Sequence, residues 1–328
     1  MDGKTVAKID HLNDIELTIL ASLISGDHCT FSKDDSDGVD LYDALRSACR
    51  TTFDLEPAGL QCSPATTIDE LNDSLLQTRA SSLYHAMDSY DVAQYDRRPT
   101  APRLTSDDSL AERKVIANAV ILHHLDEASH GVQAQIIELL RTRRMFTRNS
   151  MYTAPKDLLL IATLSTPDAR LSYHLNDMMA SSQVYHQEQH ARSFPTNAPS
   201  ISQEEVERLR LQAAKVRLTA EVDAYLYNLV LCMRLSRYVE GGVSATATRQ
   251  MRALCKALAT MHGIDFVTPS LVMLAARQIY PHRLILATAA TEKSLQWGSD
   301  PLAVQELLQN SSVAEVINDV IASVETPL

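Results

Sequence analysis

The chemistry this chain could perform is concentrated in a few clusters of polar residues. Asp126 and Glu127 close a long apolar run, directly after His123 and His124. Two imidazoles and a carboxylate are metal-ligand types, but neighbouring residues on a strand point to opposite faces, so both histidines are not expected to share one ion. The bottom-up expectation for Asp126 and Glu127 is that they cap the strand and the helix that follows. Residues 32–40 form an acidic loop containing Asp34, Asp35, Asp37, Gly38, Val39 and Asp40. A calcium loop built around Gly38 would need acids at its first, third and fifth positions and a glutamate at its twelfth. Lys33, Asp35, Asp37 and Ala44 stand there, so a solvated acidic turn is expected instead. Arg141, Arg143, Arg144 and Arg148 form a basic cluster at a predicted helix end, where cations suit the dipole and could also meet an acidic partner. No Ser-His-Asp or Cys-His arrangement for nucleophilic catalysis is recognisable from spacing.

These residues need elements to position them. Apolar spacing predicts an opening helix over residues 14–25, an extended stretch at 28–31 and a helix over 41–53. The uniformly apolar runs at 115–122 and 158–164 read as parallel strands buried on both faces, with a helix over 132–141 between them. Strand, helix and strand in that order imply a parallel sheet with crossover helices. Residues 78–113 turn polar and read as an insertion, and 187–202 read as a linker rich in His, Pro, Ser and Asn. Helical periodicity then dominates, over 204–217, 220–238, 247–262 and 269–279, with a last apolar repeat over 302–324. The fold class expected is α/β with a parallel sheet, followed by an all-helical domain. The domains run 1–186 and 203–328.

Composition narrows the function classes. A formal net charge of -11 works against nucleic-acid phosphates and anionic lipid, so neither is an expected partner. The cysteines (Cys29, Cys49, Cys62, Cys232, Cys255) never fall in C-x-x-C spacing, which favours a reducing compartment over disulfides or zinc. No signal peptide is recognisable and no apolar run reaches bilayer-spanning length, so a cytoplasmic or nuclear protein without a membrane partner is expected.

The C-terminal part carries the most specific pattern. Gly242-Val243-Ser244 opens a helix, the turn Gly263-Ile264-Asp265-Phe266-Val267-Thr268-Pro269 follows, and His282-Arg283-Leu284 closes the segment. Gly263 suits a left-handed helix end, and Thr268 with Pro269 suits an N-cap and first helical turn. Together with the apolar run ending in Asp126-Glu127 and the strand ending at Ser165, this order resembles the MoxR and magnesium-chelatase-ATPase branch of AAA+ proteins over most of the chain. The resemblance implies an AAA+ core and a helical lid. It places Asp126 and Glu127 as the Mg²⁺-supporting and water-polarising acids, Ser165 as the polar residue facing the γ-phosphate, and Arg249 as a substitute for a lid arginine.

Laid on the same family, the phosphate loop departs from what ATP requires. Only Gly38 falls on a family glycine, Val39 takes the lysine position and Asp40 the Mg²⁺-binding hydroxyl. The carboxylates around them would repel a triphosphate. The arginine-finger position after Asp177 is Met178, and the lid-arginine register falls on Thr246. The expectation is therefore a pseudo-ATPase that needs no cofactor, in which Asp126 and Glu127 are idle. It would act as a scaffold, adaptor or ring subunit with protein partners or AAA+ neighbours. The alternative is an active ATPase using ATP and Mg²⁺ to remodel a protein partner or support metal insertion.

Overall fold

The computed structural model describes residues 3–33, 41–79, 113–148, 150–185, 200–309 and 311–327. Helices α1 (Gly3–Ile9) and α2 (Asp14–Ser25) lead into strand β1 (His28–Lys33). Asn13 and Glu16 form a reciprocal capping box at the start of α2, and Gly26, at φ 74°, turns the chain out of it. Helix α3 (Leu41–Thr51), strand β2 (Pro57–Gln61), helix α4 (Ile68–Leu75) and the antiparallel pair β3 (Leu76–Arg79) and β4 (Arg113–Ile116) come next. Strand β5 (Ala119–His123), a 3-10 turn (Leu125–Glu127), helix α5 (His130–Thr142) and the hairpin β6 (Arg144–Phe146) and β7 (Met151–Thr153) lead to β8 (Leu159–Leu164). Helix α6 (Tyr173–Asn176) and strand β9 (Met179–Tyr185) complete the core.

The main sheet is wholly parallel, in the order β2-β5-β8-β1-β9. Strand alternation divides the interior in two. Ala119 and Ile121 of β5 face a core shared with α2, α3 and the C-terminal helices, while Val120 and Leu122 face α4, α5 and α6. The chain leaves β1 towards β2 at one edge and leaves β8 for β9 at the other. Their carboxyl ends therefore flank a topological switch point, the place where open α/β sheets form a ligand crevice.

The C-terminal helices are α7 (Gln203–Lys215), α8 (Ala220–Leu235), α9 (Ala245–Met261), α10 (Pro269–Ile279), α11 (Pro301–Leu308) and α12 (Val313–Ser323). A short pair, β10 (Val239–Gly241) and β11 (Ile285–Leu286), ties the end of α8 to the chain after α10. Thr268 caps α10 through the Leu271 N–H with Pro269 in its first turn, and Gly263 stands at φ 71°, as the residue types require.

Several expectations change. The apolar run at 115–122 is not one strand: Val115 and Ile116 belong to β4, and the chain turns at Ala117 and Asn118 before β5. Apolarity alone could not mark that break, because Ile116 and Ala117 are buried like the strand they precede. The 302–324 repeat is two helices, broken before Ser312, which caps α12 with Glu315. The insertion at 78–113 springs from the β3–β4 pair, and its interior, like residues 34–40 and most of the 187–202 linker, lies outside the described residues.

Candidate functional site

The crevice at the carboxyl edge is lined from β5, β8 and the turns after them. Strand β5 closes at His123. His124 adopts the left-handed conformation (φ 52°), which takes the chain off the strand and turns its ring back onto His123. The two rings stack with centroids 3.9 Å apart and 27° between planes. The expectation that they face opposite ways fails here, because period-two alternation ends where the strand does. Thr163 of β8 holds the pair: its hydroxyl lies 2.7 Å from His123 Nδ1 and accepts the His124 N–H at 3.1 Å. Tyr42, near the start of α3, sits beside the His123 ring at 5.8 Å. Its hydroxyl passes over Gly59, where any Cβ would overlap it.

Asp126 and Glu127 thus lie beyond the end of the strand, in the 3-10 turn. Asp126 accepts the Ser165 N–H at 3.0 Å on one carboxylate oxygen and the Ser165 hydroxyl on the other. The acid after β5 and the polar residue after β8 are brought together, with both Ser165 donors spent on Asp126 and one bond taken by each carboxylate oxygen. Glu127 is exposed, with His124 Nδ1 3.9 Å from its carboxylate. Neither acid caps α5. Ser129 does that, accepting the Val132 N–H, while the buried Gln133 amide spans the Leu125 and Ala128 carbonyls and the Ser172 N–H. Gly38, Val39 and Asp40 lie outside the described residues. Among the described residues, no group of three or more His, Cys, Asp or Glu side chains could hold a metal ion.

Arg249 is placed elsewhere. It is exposed on α9, and its charge acts on Asp27, the residue just before β1. The carboxyl end of β1, at Lys33, lies about 20 Å from there along six strand residues at roughly 3.3 Å each. Thr246 lies on the first turn of the same helix.

The amino-terminal edge of the sheet carries the densest polar network, which sequence reasoning did not find. Arg283 is buried, donates from Nη1 to Asp177 at 2.8 Å, and from Nη2 to the Met179 carbonyl and the Gln250 side chain. Asp177 also accepts the hydroxyl of Ser244, the N-cap of α9. Gln250 donates to the Met178 carbonyl at 3.1 Å and reaches Asp27 at 3.4 Å. His282 lies 2.9 Å from the Met179 carbonyl through Nε2, and Asn176 and Arg170 donate to the His282 carbonyl. Burial, reinforced by the Arg283 charge, holds His282 near a pKa of about 3, and burial raises the carboxyl of Asp27. Asp177, which the resemblance places just before the lost arginine-finger position at Met178, is the carboxylate that docks the C-terminal helices onto the core. The signal present in the sequence was slight: Arg283 leads directly into the apolar Leu284-Ile285-Leu286-Ala287, and a buried arginine demands a partner.

Comparison with known proteins agrees with this architecture. Residues 232–307 match the AAA lid domain family model. A crystal structure of a candidate ATPase from Cytophaga hutchinsonii superposes with a TM-score of 0.67 over 99% of this chain and 96% of that one, at 14% identity. The curated relatives are two proteins called Maintenance of telomere capping protein 2. The one from Lachancea thermotolerans is 29% identical over 123 residues, covering 36% of this chain and 43% of the relative. The one from Kluyveromyces lactis is 28% identical over 92 residues, covering 26% and 34%. This chain therefore matches less than half the length of either relative. Fold and family model define the class: a parallel-sheet α/β core with the fold of that candidate ATPase, followed by a helical region of which residues 232–307 match the AAA lid domain. Among the described residues, no helix is long and apolar enough to cross a membrane.

Proposed function

We propose that this chain is a catalytically inactive AAA+ protein of the MoxR and magnesium-chelatase type, working as a scaffold, adaptor or ring subunit. The observation that carries the reading is at the end of β5. A nucleotide site needs a carboxylate there, free to support Mg²⁺. This chain offers the stacked His123 and His124, with Asp126 beyond the strand and already bound to Ser165. These residues do not fit ATP and Mg²⁺, and the sequence of the phosphate loop, with Val39 and Asp40 in place of lysine and hydroxyl, supports the same reading. Arg249, at the other edge of the sheet, is out of reach of a nucleotide held by its own chain.

Glu127 favours the competing reading, because its carboxylate is exposed and could polarise a water. Calorimetric titration of the full chain with ATP and Mg²⁺ separates the two. The expected result is no binding up to millimolar nucleotide and no phosphate release. Mg²⁺-dependent micromolar binding, or turnover abolished by Glu127→Gln, would overturn the proposal. In the structural role, Asp126→Ala lowers stability by about 2 kcal/mol through two lost carboxylate hydrogen bonds.

The partners proposed are proteins, including AAA+ neighbours in a ring. Free cysteines, four of them buried, support a reducing compartment. The name of the yeast relatives makes a nuclear setting as natural as a cytoplasmic one.

A further inference from the structure

The hairpin β6–β7 breaks the rule its own geometry sets. In a two-stranded hairpin packed on a core, one face is buried and the other meets water. Met145 and its cross-strand partner Tyr152 form the inner face, Met145 being fully buried. The outer face should then be polar. It carries the register pair Phe146 and Met151, which are 51% and 52% exposed, beside the pair Arg144 and Thr153. Three exposed arginines stand around it: Arg141 on the last turn of α5, Arg144 on β6, and Arg148 in the turn. Arg148 pairs with the exposed Asp69 of α4 at 2.6 Å, which ties the turn to the start of that helix. The hairpin is braced from behind, with the Thr142 hydroxyl accepting the Arg144 N–H and Thr147 bonded to Ser150 on both backbone and side chain.

A cationic rim around an apolar pair stands out on a chain with a formal net charge of -11. Solvation explains exposed arginines, and dipole complementarity explains Arg141 at a helix end. Neither explains Phe146 and Met151 facing water between them. We propose that the outer face of β6–β7 is a docking surface for an acidic protein segment that carries an apolar anchor. The anchor covers Phe146 and Met151, while its carboxylates meet Arg141 and Arg144, with Arg148, which Asp69 already pairs, at the edge. Charge complementarity selects such a partner over a basic or neutral one, and the apolar pair selects a protein over a bare polyanion. None of these residues belongs to the crevice at the carboxyl edge, so the surface stands or falls separately from the nucleotide question.

The test uses the full chain and a fluorescein-labelled 15-residue peptide of glutamates with leucine or phenylalanine at every third or fourth position, read by polarisation. Binding is expected at low salt, weakened at least fivefold between 50 and 300 mM salt. Arg144→Gln and Phe146→Ser should each weaken it at least fivefold. Arg144→Gln should also flatten the salt dependence, which a change in packing alone would not do. Both side chains are exposed, so unchanged unfolding curves identify a surface effect. A peptide of the same charge without apolar residues should bind at least fivefold more weakly. The proposal is overturned if no binding is detected at millimolar peptide, if the variants bind like the parent chain, or if the all-glutamate peptide binds equally well. It is also overturned if a DNA duplex of the same length binds more tightly and is lost in the same variants.

Discussion

Arg283 and Asp126 show how differently a charged residue can be used within one chain. Arg283 is buried with one carboxylate partner, Asp177, and two uncharged acceptors. Removing Asp177 leaves a cation away from water with its charge uncompensated, which is far more costly than losing an exposed pair. Asp177→Ala is expected to destabilise by about 3 kcal/mol. Adding Arg283→Met should recover part of that loss, giving a coupling energy of about 1–3 kcal/mol by urea denaturation. Additive losses would show that the pair does not act as one clamp. Asp126 is the reverse case: the motif was legible in the sequence, but its geometry was not. The residue order Asp-Glu after an apolar run says nothing of where the strand ends, and His124 at positive φ decides that. Of the side chains named by pattern, Asp126 and Ser165 come together and Arg249 does not join them, while those that only packing reveals, such as Gln250 and Asp177 in its docking role, were not foreseen.

At the scale of elements, the helices were the most readable part, because each carries its own signals. Asp14–Ser25 has a cap at both ends, and α10 begins at the Thr268-Pro269 step. The edge strands β2 and β9 went unseen for a physical reason. An edge strand has one neighbour, so it needs less apolar sequence, and Pro57-Ala-Gly-Leu-Gln and Met179-Ala-Ser-Ser-Gln-Val-Tyr do not look like buried strands. The join between β10 and α9 turns on Gly242, at φ 99°, where a Cβ would overlap the Arg283 carbonyl as well as strain the backbone. Gly298 has φ 83° but open space around the Cβ position. Gly298→Ala should therefore cost about 1 kcal/mol from backbone strain alone. Gly242→Ala should cost more than about 3 kcal/mol, because it also displaces the chain that carries the clamp. Equal shifts in denaturation midpoint would contradict that distinction.

The larger of the two apolar clusters runs from α2 and β1 through α7, α9, α10 and α12 and joins the sheet to the C-terminal helices. The molecule's acid sensitivity follows from two histidines buried without charge at the amino-terminal edge. Burial brings His28 down to about 4 and His282 to about 3. Both values lie below the unfolded value of 6.5, so between pH 6.5 and 4 the unfolded chain binds protons that the folded chain refuses. Stability is intact above pH 6.5 and falls as the pH drops, by up to about 1.4 kcal/mol per pH unit for each histidine. Asp27 works in the opposite sense just above pH 3.8, because its raised pKa lets the folded state keep a proton longer. Urea denaturation at pH 7, 6 and 5 should give a declining series, and His282→Gln should make it shallower. A flat series would mean that the histidines charge freely in the fold.

The docking of the C-terminal helices at the amino-terminal edge of the sheet has one more consequence, in what the chain tolerates. Arg283, Asp177, Gln250 and Gly242, on which folding depends, cluster at one end of the strands, and the crevice residues cluster at the other. Substitutions at the crevice, such as at the exposed Glu127, can accumulate without drawing on the stability that the opposite edge supplies. A saturation library scored for folded protein should be permissive at Glu127 and intolerant at Arg283 and Gly242. A chain laid out this way can exchange one chemistry for another, or for none, while remaining the same fold.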